Sequence, residues 1–197
     1  MKIPYLAVVS ALALALQLTH QAAATTYSQK DTISYGYSLL AHGSPSTAVQ
    51  VFVGVLKVEP GNLIARRYLA HALVQSGNYQ QAISQFIQLS KYMALQAVDV
   101  SGLAEAYLKS GEHKLALSYY EQALKLDPTF GPALVGSVKA HMAMSQNTEA
   151  LAECEKGLQR VRDAGSKGQL EEIFAQLKGK TQSSDGESIA ERPAQPG

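Results

Sequence analysis

Histidine, cysteine and acidic side chains are the groups in this chain that could hold a metal ion or take part in catalysis. No histidine pairs with another histidine or with the cysteine at the spacing of a metal ligand set, and no His-Glu-x-x-His segment occurs. The five histidines are His20, His42, His71, His113 and His141. The sequence therefore predicts neither a metal site nor a cofactor.

One cysteine and one short glycine-containing segment remain as candidates for chemistry. Cys154 is the single cysteine, which excludes an intrachain disulfide and a metal site built from cysteines alone. It lies in an apolar helical stripe, so we expect a small buried hydrophobic residue and not a reactive thiol. The segment 165–167 (Gly-Ser-Lys) lacks the glycine spacing of a phosphate-binding loop. We therefore expect that the protein is not an enzyme.

Composition narrows the class of protein further. The chain has 197 residues, of which 46% are hydrophobic and 17% are charged, so it has enough apolar side chains to fold around a core. Its formal net charge is +1, from 17 basic and 16 acidic residues. A nucleic-acid-binding protein needs a basic face to offset phosphate charge, so this balance argues against such a function.

Similar residues recur along the chain at an interval of 34 positions. Each set below shares that interval and marks the same place in successive units. The alanine set is Ala48, Ala82, Ala116 and Ala150; the glycine set is Gly43, Gly77 and Gly111, with Ser145 fourth; the aromatic set is Phe52, Phe86 and Tyr120, with Cys154 fourth; and the small set is Gly36, Ala70 and Ala104, with Val138 fourth. The chain is therefore built from four repeats, 29–62, 63–96, 97–130 and 131–164.

Each repeat has the pattern of a helical hairpin. In the third repeat, apolar residues at helical spacing precede Gly111, and a second apolar stripe ends at Pro128. Glycine at the break can adopt the left-handed conformation that ends a helix. The small residues allow the two helices to approach closely, with the aromatic side chain filling the gap beside them. One hairpin cannot bury its apolar face alone, so stacked hairpins form a continuous core.

These residues resemble the tetratricopeptide repeat (TPR) family. The third repeat is most similar, through Leu103, Ala104, Tyr107, Ala116, Tyr120, Ala123 and Pro128. The fourth is degenerate, because His141, Cys154 and Gly157 stand where the family has two aromatic residues and alanine. The resemblance covers residues 29–164 and implies an all-α fold, a TPR α-solenoid of four antiparallel helix-hairpin repeats.

The residues after the repeats have two different compositions. Ser166 and Gln169 have the spacing of a capping box, and an apolar stripe follows that ends before Gly179. We expect residues 166–179 to form a capping helix that covers the last repeat, so that the TPR domain spans 25–179. Residues 180–197 are rich in Ser, Gly, Pro and Gln and are expected to be a disordered tail.

The first 24 residues have the features of an export signal. Lys2 is followed by an apolar run over 6–18 and by the small residues Ala22 and Ala24, so cleavage is expected after Ala24. The alternative is an uncleaved anchor, but about 13 apolar residues give roughly 20 Å of helix against a bilayer core of about 30 Å. We therefore expect an exported protein, periplasmic or secreted, with a bacterial origin favoured.

The resemblance also implies where a partner binds. In the family, the first helices of the repeats line a concave surface that holds a peptide, so we expect a protein or peptide as partner. The corresponding residues in this chain are Ile33, Tyr37, Leu40, Arg67, His71, Val74, Glu105, Leu108, Lys109, Val135, Lys139 and Met142. The alternative for Leu40, Val74 and Leu108 is that they only pack between neighbouring repeats.

Family members that bind the acidic tail of heat-shock chaperones use Lys, Arg and Asn at defined places, and those places here hold Ile33, Tyr37, Tyr68, Val98 and Gly102. That carboxylate clamp is therefore absent. The favoured function is an exported adaptor or scaffold for assembly of a cell-envelope complex. Two alternatives stay open: a self-assembling scaffold, or a secretion chaperone that meets the membrane through an uncleaved leader.

Overall fold

The computed structural model describes the backbone of residues 30–190 and the side chains of residues 30–179. The predicted signal peptide, residues 1–24, lies outside the described residues. All regular secondary structure within 30–190 is helical. The helices are α1 (30–41), α2 (Pro45–Val58), α3 (Leu63–Gln75), α4 (Tyr79–Ser90), α5 (Ala97–Lys109), α6 (His113–Leu126), α7 (Gly131–Ala143), α8 (Asn147–Arg160) and α9 (Ala164–Ala190). The predicted all-α, helical-repeat fold class is confirmed.

The first compact unit extends to Ser76 and contains α1, α2 and α3. Gly36 of α1 lies directly against the buried ring of Phe52 on α2, because a Cβ built on Gly36 would be 2.6 Å from Phe52 Cε1. The ring of Tyr68 on α3 stacks on Phe52 with 5.7 Å between the centroids. The predicted pairing of a small residue with an aromatic one is therefore confirmed in this unit.

The second compact unit begins at Gly77 and contains α4 to α9. Each of its helices packs on the next in sequence, and α7 additionally contacts both α5 and α9. The residues of the alanine and aromatic sets are buried in its core: Ala82, Phe86, Ala116, Tyr120, Ala150 and Cys154. The 34-residue pattern thus identifies the side chains that lie between the helices.

The turns within the predicted repeats have a left-handed residue at the expected position. Backbone φ is +71° at Gly43, +81° at Gly77 and +90° at Gly111, and Ser145 follows with +61°. Glu112 N–H donates to the Tyr107 carbonyl at 2.9 Å, which is the 6→1 hydrogen bond of a Schellman motif at a helix C-terminus. The glycine set therefore marks helix ends, as predicted.

Helix α9 begins differently from the prediction. It starts at Ala164, and the Asp163 carboxylate accepts a hydrogen bond from Ser166 N–H at 2.7 Å. Ser166 is buried within the helix. The prediction that Ser166 caps the helix is therefore wrong: Asp163 performs that role three residues earlier, and its bonds from Ser166 hold the Asp163 pKa below its usual range.

The other end of α9 extends past Gly179, where the sequence predicted the end of the capping helix. The helix continues to Ala190 and so includes residues expected to belong to the tail. A single glycine inside a helix costs only about 1 kcal/mol, and no proline occurs between Gly179 and Pro193. The predicted apolar stripe is confirmed, since Leu170, Ile173 and Leu177 are buried. Residues 191–197 lie outside the described residues.

Candidate functional site

Two histidines, His42 and His141, make hydrogen-bond contacts near the ends of their helices. His42 Nδ1 lies 2.7 Å from the Ser38 carbonyl oxygen, and the half-buried His141 Nδ1 lies 2.9 Å from Gln146 Oε1. Within the part of the chain that the structure describes, no group of three His, Cys, Asp or Glu side chains is arranged to bind a metal ion. Both of these imidazole contacts are thus local to their own turns.

Cys154 is a core residue. Its side chain has no exposed area, and its Sγ–H donates to the Leu170 carbonyl on α9 at 3.1 Å. Burial, with a smaller contribution from the charge of Glu155, raises the pKa of the thiol. The thiolate is the nucleophilic form, so the position disfavours reactivity, as predicted for a small buried hydrophobic residue.

Six of the predicted groove residues belong to the first unit: Ile33, Tyr37 and Leu40 on α1, and Arg67, His71 and Val74 on α3. Tyr37 is 56% exposed, and its ring lies 5.4 Å from that of Tyr68 on α3. Val74 is only 7% exposed, which favours the alternative that it packs in the core. The other four are half-buried.

Five of the six predicted groove residues in the second unit line one cavity of about 210 Å³. Glu105, Leu108 and Lys109 come from α5, and Val135 and Lys139 come from α7. These side chains meet because α5 contacts α7 directly. The sixth, Met142, does not line the cavity and packs against the core around α8 and α9.

Leu108 and Val135 have two roles. Both line the cavity, but Leu108 also packs against the core formed with α6, and Val135 is almost fully buried in the core formed with α8 and α9. Leu108 therefore packs between helices, as the alternative predicted, and also lines the cavity.

The capping helix contributes a wall that the sequence did not predict. Ser166 and Gln169 of α9 line the cavity, and Lys139 Nζ donates a hydrogen bond of 3.5 Å to Gln169 Oε1. The apolar stripe of α9 contained a signal for this, because burying Leu170 places the preceding residue at the edge of the contact with α7. The prediction treated α9 only as a cover for the last repeat.

Tyr120 was also predicted only as a core residue, yet it lines the cavity from α6. Its ring reaches the cavity because Gly136 has no side chain, since a Cβ built there would overlap the ring. Burial and, to a smaller extent, the charge of Glu105 raise the Tyr120 pKa above its usual value. The phenol is therefore neutral across the physiological range and can donate a hydrogen bond.

Charge in this cavity is distributed and unpaired. Within the described residues, no carboxylate oxygen lies within 4.0 Å of the ammonium of Lys109 or Lys139, and no cationic nitrogen lies that close to Glu105. All three of these side chains are exposed. The cavity thus combines apolar side chains, neutral hydrogen-bonding groups and separate charges.

Comparison with known families agrees with this architecture. Two family models, each described as tetratricopeptide repeat, match residues 39–103 and 101–130. The chain belongs to the tetratricopeptide repeat family, whose members are generally non-catalytic scaffolds for protein–protein interaction. Among curated proteins, no sequence matches this chain significantly.

Solved structures have the same fold at low sequence identity. A thermophilic TPR protein, TTC0263 of Thermus thermophilus, has a TM-score of 0.65 at 19% identity, over 76% of this chain and 82% of that one. YrrB, described as a TPR protein with an unusual peptide-binding site, has a TM-score of 0.57 at 14% identity, over 77% and 76%.

A third similar structure is a complex. The second TPR domain of human RPAP3, solved with the HSP70 peptide SGPTIEEVD, has a TM-score of 0.51 at 20% identity, over 57% of this chain and 92% of that one. At these identities the similarity supports the fold alone. Two of the three similar structures are nevertheless described as binding peptides.

Proposed function

We propose that this protein is an exported adaptor that binds a segment of a partner protein in the cavity between α5, α7 and α9, and that it helps to assemble a cell-envelope complex. The observation that carries the proposal is that five residues chosen for a peptide groove come together around one cavity. The leader sequence supports export, and the envelope role follows from that compartment together with the TPR family.

The dimensions and lining of the cavity support binding of a peptide. The cavity volume of about 210 Å³ is enough for one or two amino-acid side chains. Binding sites for small molecules and cofactors are larger, with volumes from about 300 Å³ upward. Leu108, Val135 and Pro132 offer apolar contact, whereas Tyr120 and Gln169 offer hydrogen bonds. Peptide recognition combines these two kinds of contact, with apolar anchors for affinity and polar groups for register.

A filled cavity is the sharpest test of this function. Gln169→Trp replaces an exposed side chain at the rim with a large ring that occupies the cavity, without removing any core residue. Gln176→Trp is the matched control, because it makes the same change at another exposed position of α9. Circular dichroism and thermal unfolding first establish that both variants fold.

The binding measurement uses the purified protein, with a photo-crosslinking residue at position 169 or at position 176, against an envelope extract. We expect a partner that crosslinks at position 169 and not at position 176. The same partner should bind to Gln176→Trp but not to Gln169→Trp. A partner retained by Gln169→Trp would place binding outside the cavity. Crosslinks between two copies of this chain would instead indicate a self-assembling scaffold.

The described helices offer no candidate for a membrane-spanning segment, since none within residues 30–190 is both long and apolar enough to cross a bilayer.

A further inference from the structure

Two hydroxyl groups form part of the inner wall of the cavity. Ser101 of α5 and Tyr120 of α6 both line it, although these residues are only 5% and 3% exposed. The phenol oxygen of Tyr120 lies against α7, because a Cβ built on Gly136 would be 2.7 Å from it. Among residues 30–179, neither hydroxyl has a hydrogen-bond partner, and neither oxygen is fully enclosed by protein. Both hydroxyls are therefore open to a group that enters the cavity.

Hydroxyl groups at this depth are costly unless they form hydrogen bonds. A buried polar group without a bond destabilises the folded state, whereas a bonded one is close to neutral. Two other buried serines of the second unit are bonded within the fold. Ser137 Oγ donates to a backbone carbonyl of its own helix at 2.9 Å, and the Ser166 hydroxyl bonds to the carboxylate that caps α9. Ser101 and Tyr120 differ from these serines, and both of them line the cavity.

We propose that the cavity selects a partner segment through an uncharged side-chain amide, that of glutamine or asparagine, which enters the cavity and bonds to both hydroxyls. This inference rests on the proposed function and specifies the ligand of the same site. The amide oxygen accepts the hydrogen bond of the Tyr120 hydroxyl, and the amide N–H donates to Ser101 Oγ. An amide suits this wall because its acceptor and its donor are attached to the same carbon, so one side chain satisfies both hydroxyls.

The charged side chains of the cavity do not determine this choice. Glu105, Lys109 and Lys139 line the cavity, but all three are exposed and carry both signs of charge, so water and salt screen them. A carboxylate or an ammonium at the inner wall would exchange its hydration for two neutral hydroxyls, which costs much more than the same exchange for an amide. An apolar side chain would leave both hydroxyls without a partner.

The stability of the free protein gives the first test. Tyr120→Phe and Ser101→Ala each remove one hydroxyl and keep the ring or the helix, and together they form the combined test variant. Its melting temperature should equal that of the native protein or exceed it, because no hydrogen bond among the described residues is lost. A melting temperature lowered by more than a few degrees would show that the hydroxyls stabilise the fold, and would overturn the inference.

Peptide selection tests which side chain the cavity takes. Random peptides of about twelve residues, fused through their C-termini to a phage coat protein, are selected on the purified protein. The control is Tyr119→Phe combined with Ser137→Ala, which removes the same two kinds of hydroxyl outside the cavity. We expect the enriched peptides to share a glutamine or an asparagine. A synthetic peptide of that sequence should bind the combined test variant about tenfold more weakly, and the control less than about twofold more weakly.

Exchanges in the peptide identify the group that makes the contact. Replacing its glutamine by methionine or glutamate, or its asparagine by leucine or aspartate, should weaken binding to the native protein about tenfold. The peptide with the apolar replacement should bind the combined test variant at least as tightly as it binds the native protein, because the unbonded hydroxyls are then absent. A general loss of folding would not produce that result.

Three binding results would overturn the inference. Enriched peptides without a shared amide, whose binding survives in the combined test variant but is lost in Gln169→Trp, would remove the amide rule and leave the proposed cavity function intact. Equal or tighter binding of the peptide with the acidic replacement would do the same. Failure to enrich any peptide would count against both the inference and the proposed function.

Discussion

Ser145 is the one residue other than glycine, among those the structure describes, whose backbone has a positive φ, at +61°. A side chain in this conformation costs about 1 kcal/mol relative to glycine. We expect Ser145→Gly to raise the free energy of unfolding by about that amount, as measured by urea denaturation. Ser145→Ala is the matched control and should give no gain; an equal effect of both substitutions would show that the backbone is not the cause.

Cys154 should make stability depend on pH in the alkaline range. Burial raises its pKa in the folded protein, so the native state keeps the thiol proton at pH values where the unfolded chain loses it. The stabilisation is complete below the unfolded pKa of about 8.5 and decreases as pH rises above it. The difference in free energy of unfolding between the native protein and Cys154→Ala should therefore shrink from about pH 7.5 to about pH 9.5.

Tyr107 and Tyr120, whose pKa values are also raised, are present in both proteins, so their titration cancels in this difference. If the free energies of unfolding of the two proteins change in parallel from about pH 7.5 to about pH 9.5, the thiol of Cys154 does not cause the pH dependence. Alkylation supplies a second check, since Cys154 should react much more slowly in the native protein than in urea.

Residue types indicated correctly which face of each helix is apolar. They did not indicate which residues of a face are buried by neighbouring helices and which stay exposed. Glu105 and Val74 were chosen by the same rule, yet Glu105 is exposed at the cavity and Val74 is 7% exposed. The repeat pattern specifies the face of the helix on which a side chain lies. The area left open depends on neighbouring helices, whose positions a single sequence does not specify.

At the level of elements, the junction of α7 and α9 depends on Gly131. A Cβ built on Gly131 would overlap Asp163 and Ser166, the residues at the start of α9. Gly131→Ala should therefore displace the start of α9 and lower the free energy of unfolding by about 1–3 kcal/mol. Because Ser166 lines the cavity, the same variant should also weaken binding of any ligand there.

Gly168→Ala is the matched control for that prediction. Gly168 lies within α9, and a Cβ built on it would meet no neighbouring atom, so the same substitution should stabilise the helix by about 0.5–1 kcal/mol. Thermal unfolding of the two variants should thus shift in opposite directions. A shift of the same sign in both would mean that the contact between the two helices does not restrict residue 131.

The sequence predicted the existence and the buried face of α9 but neither of its ends. Asp163 and Ser166 are both good capping residues, and the choice between them is decided by packing, because Ser166 lies against α7. Glycine at 179 was a plausible stop, but it ends a helix only where the backbone turns left-handed, and Gly179 shows no such φ.

At the scale of the whole molecule, the fold followed from one interval in the sequence. The alanine, glycine and aromatic sets agree in register, so local helix ends, close helix contacts and core residues all point to the same architecture. The cavity does not follow from that interval. It depends on α9, which is outside the repeats, and on Gly136, whose missing side chain allows the buried ring of Tyr120 to reach the wall of the cavity.

The remaining prediction concerns the chain as the cell would process it. If residues 1–24 are a cleaved export signal, protein made in a bacterial host with its own leader should begin at Thr25. Cleavage removes Lys2 and no acidic residue, so the net charge should fall from +1 to zero. N-terminal sequencing and intact mass of the protein from the envelope fraction measure both changes.

Two substitutions test whether the small residues direct that cleavage. Ala24→Phe places a large side chain at the residue before the predicted cut, where a signal peptidase requires a small one, and should leave the leader attached. Ala23→Phe makes the same change one position earlier, where size is tolerated, and should be processed normally. A native chain that keeps Met1 in the membrane fraction would instead support the anchored alternative, because the adaptor would then act at the membrane surface through a retained leader.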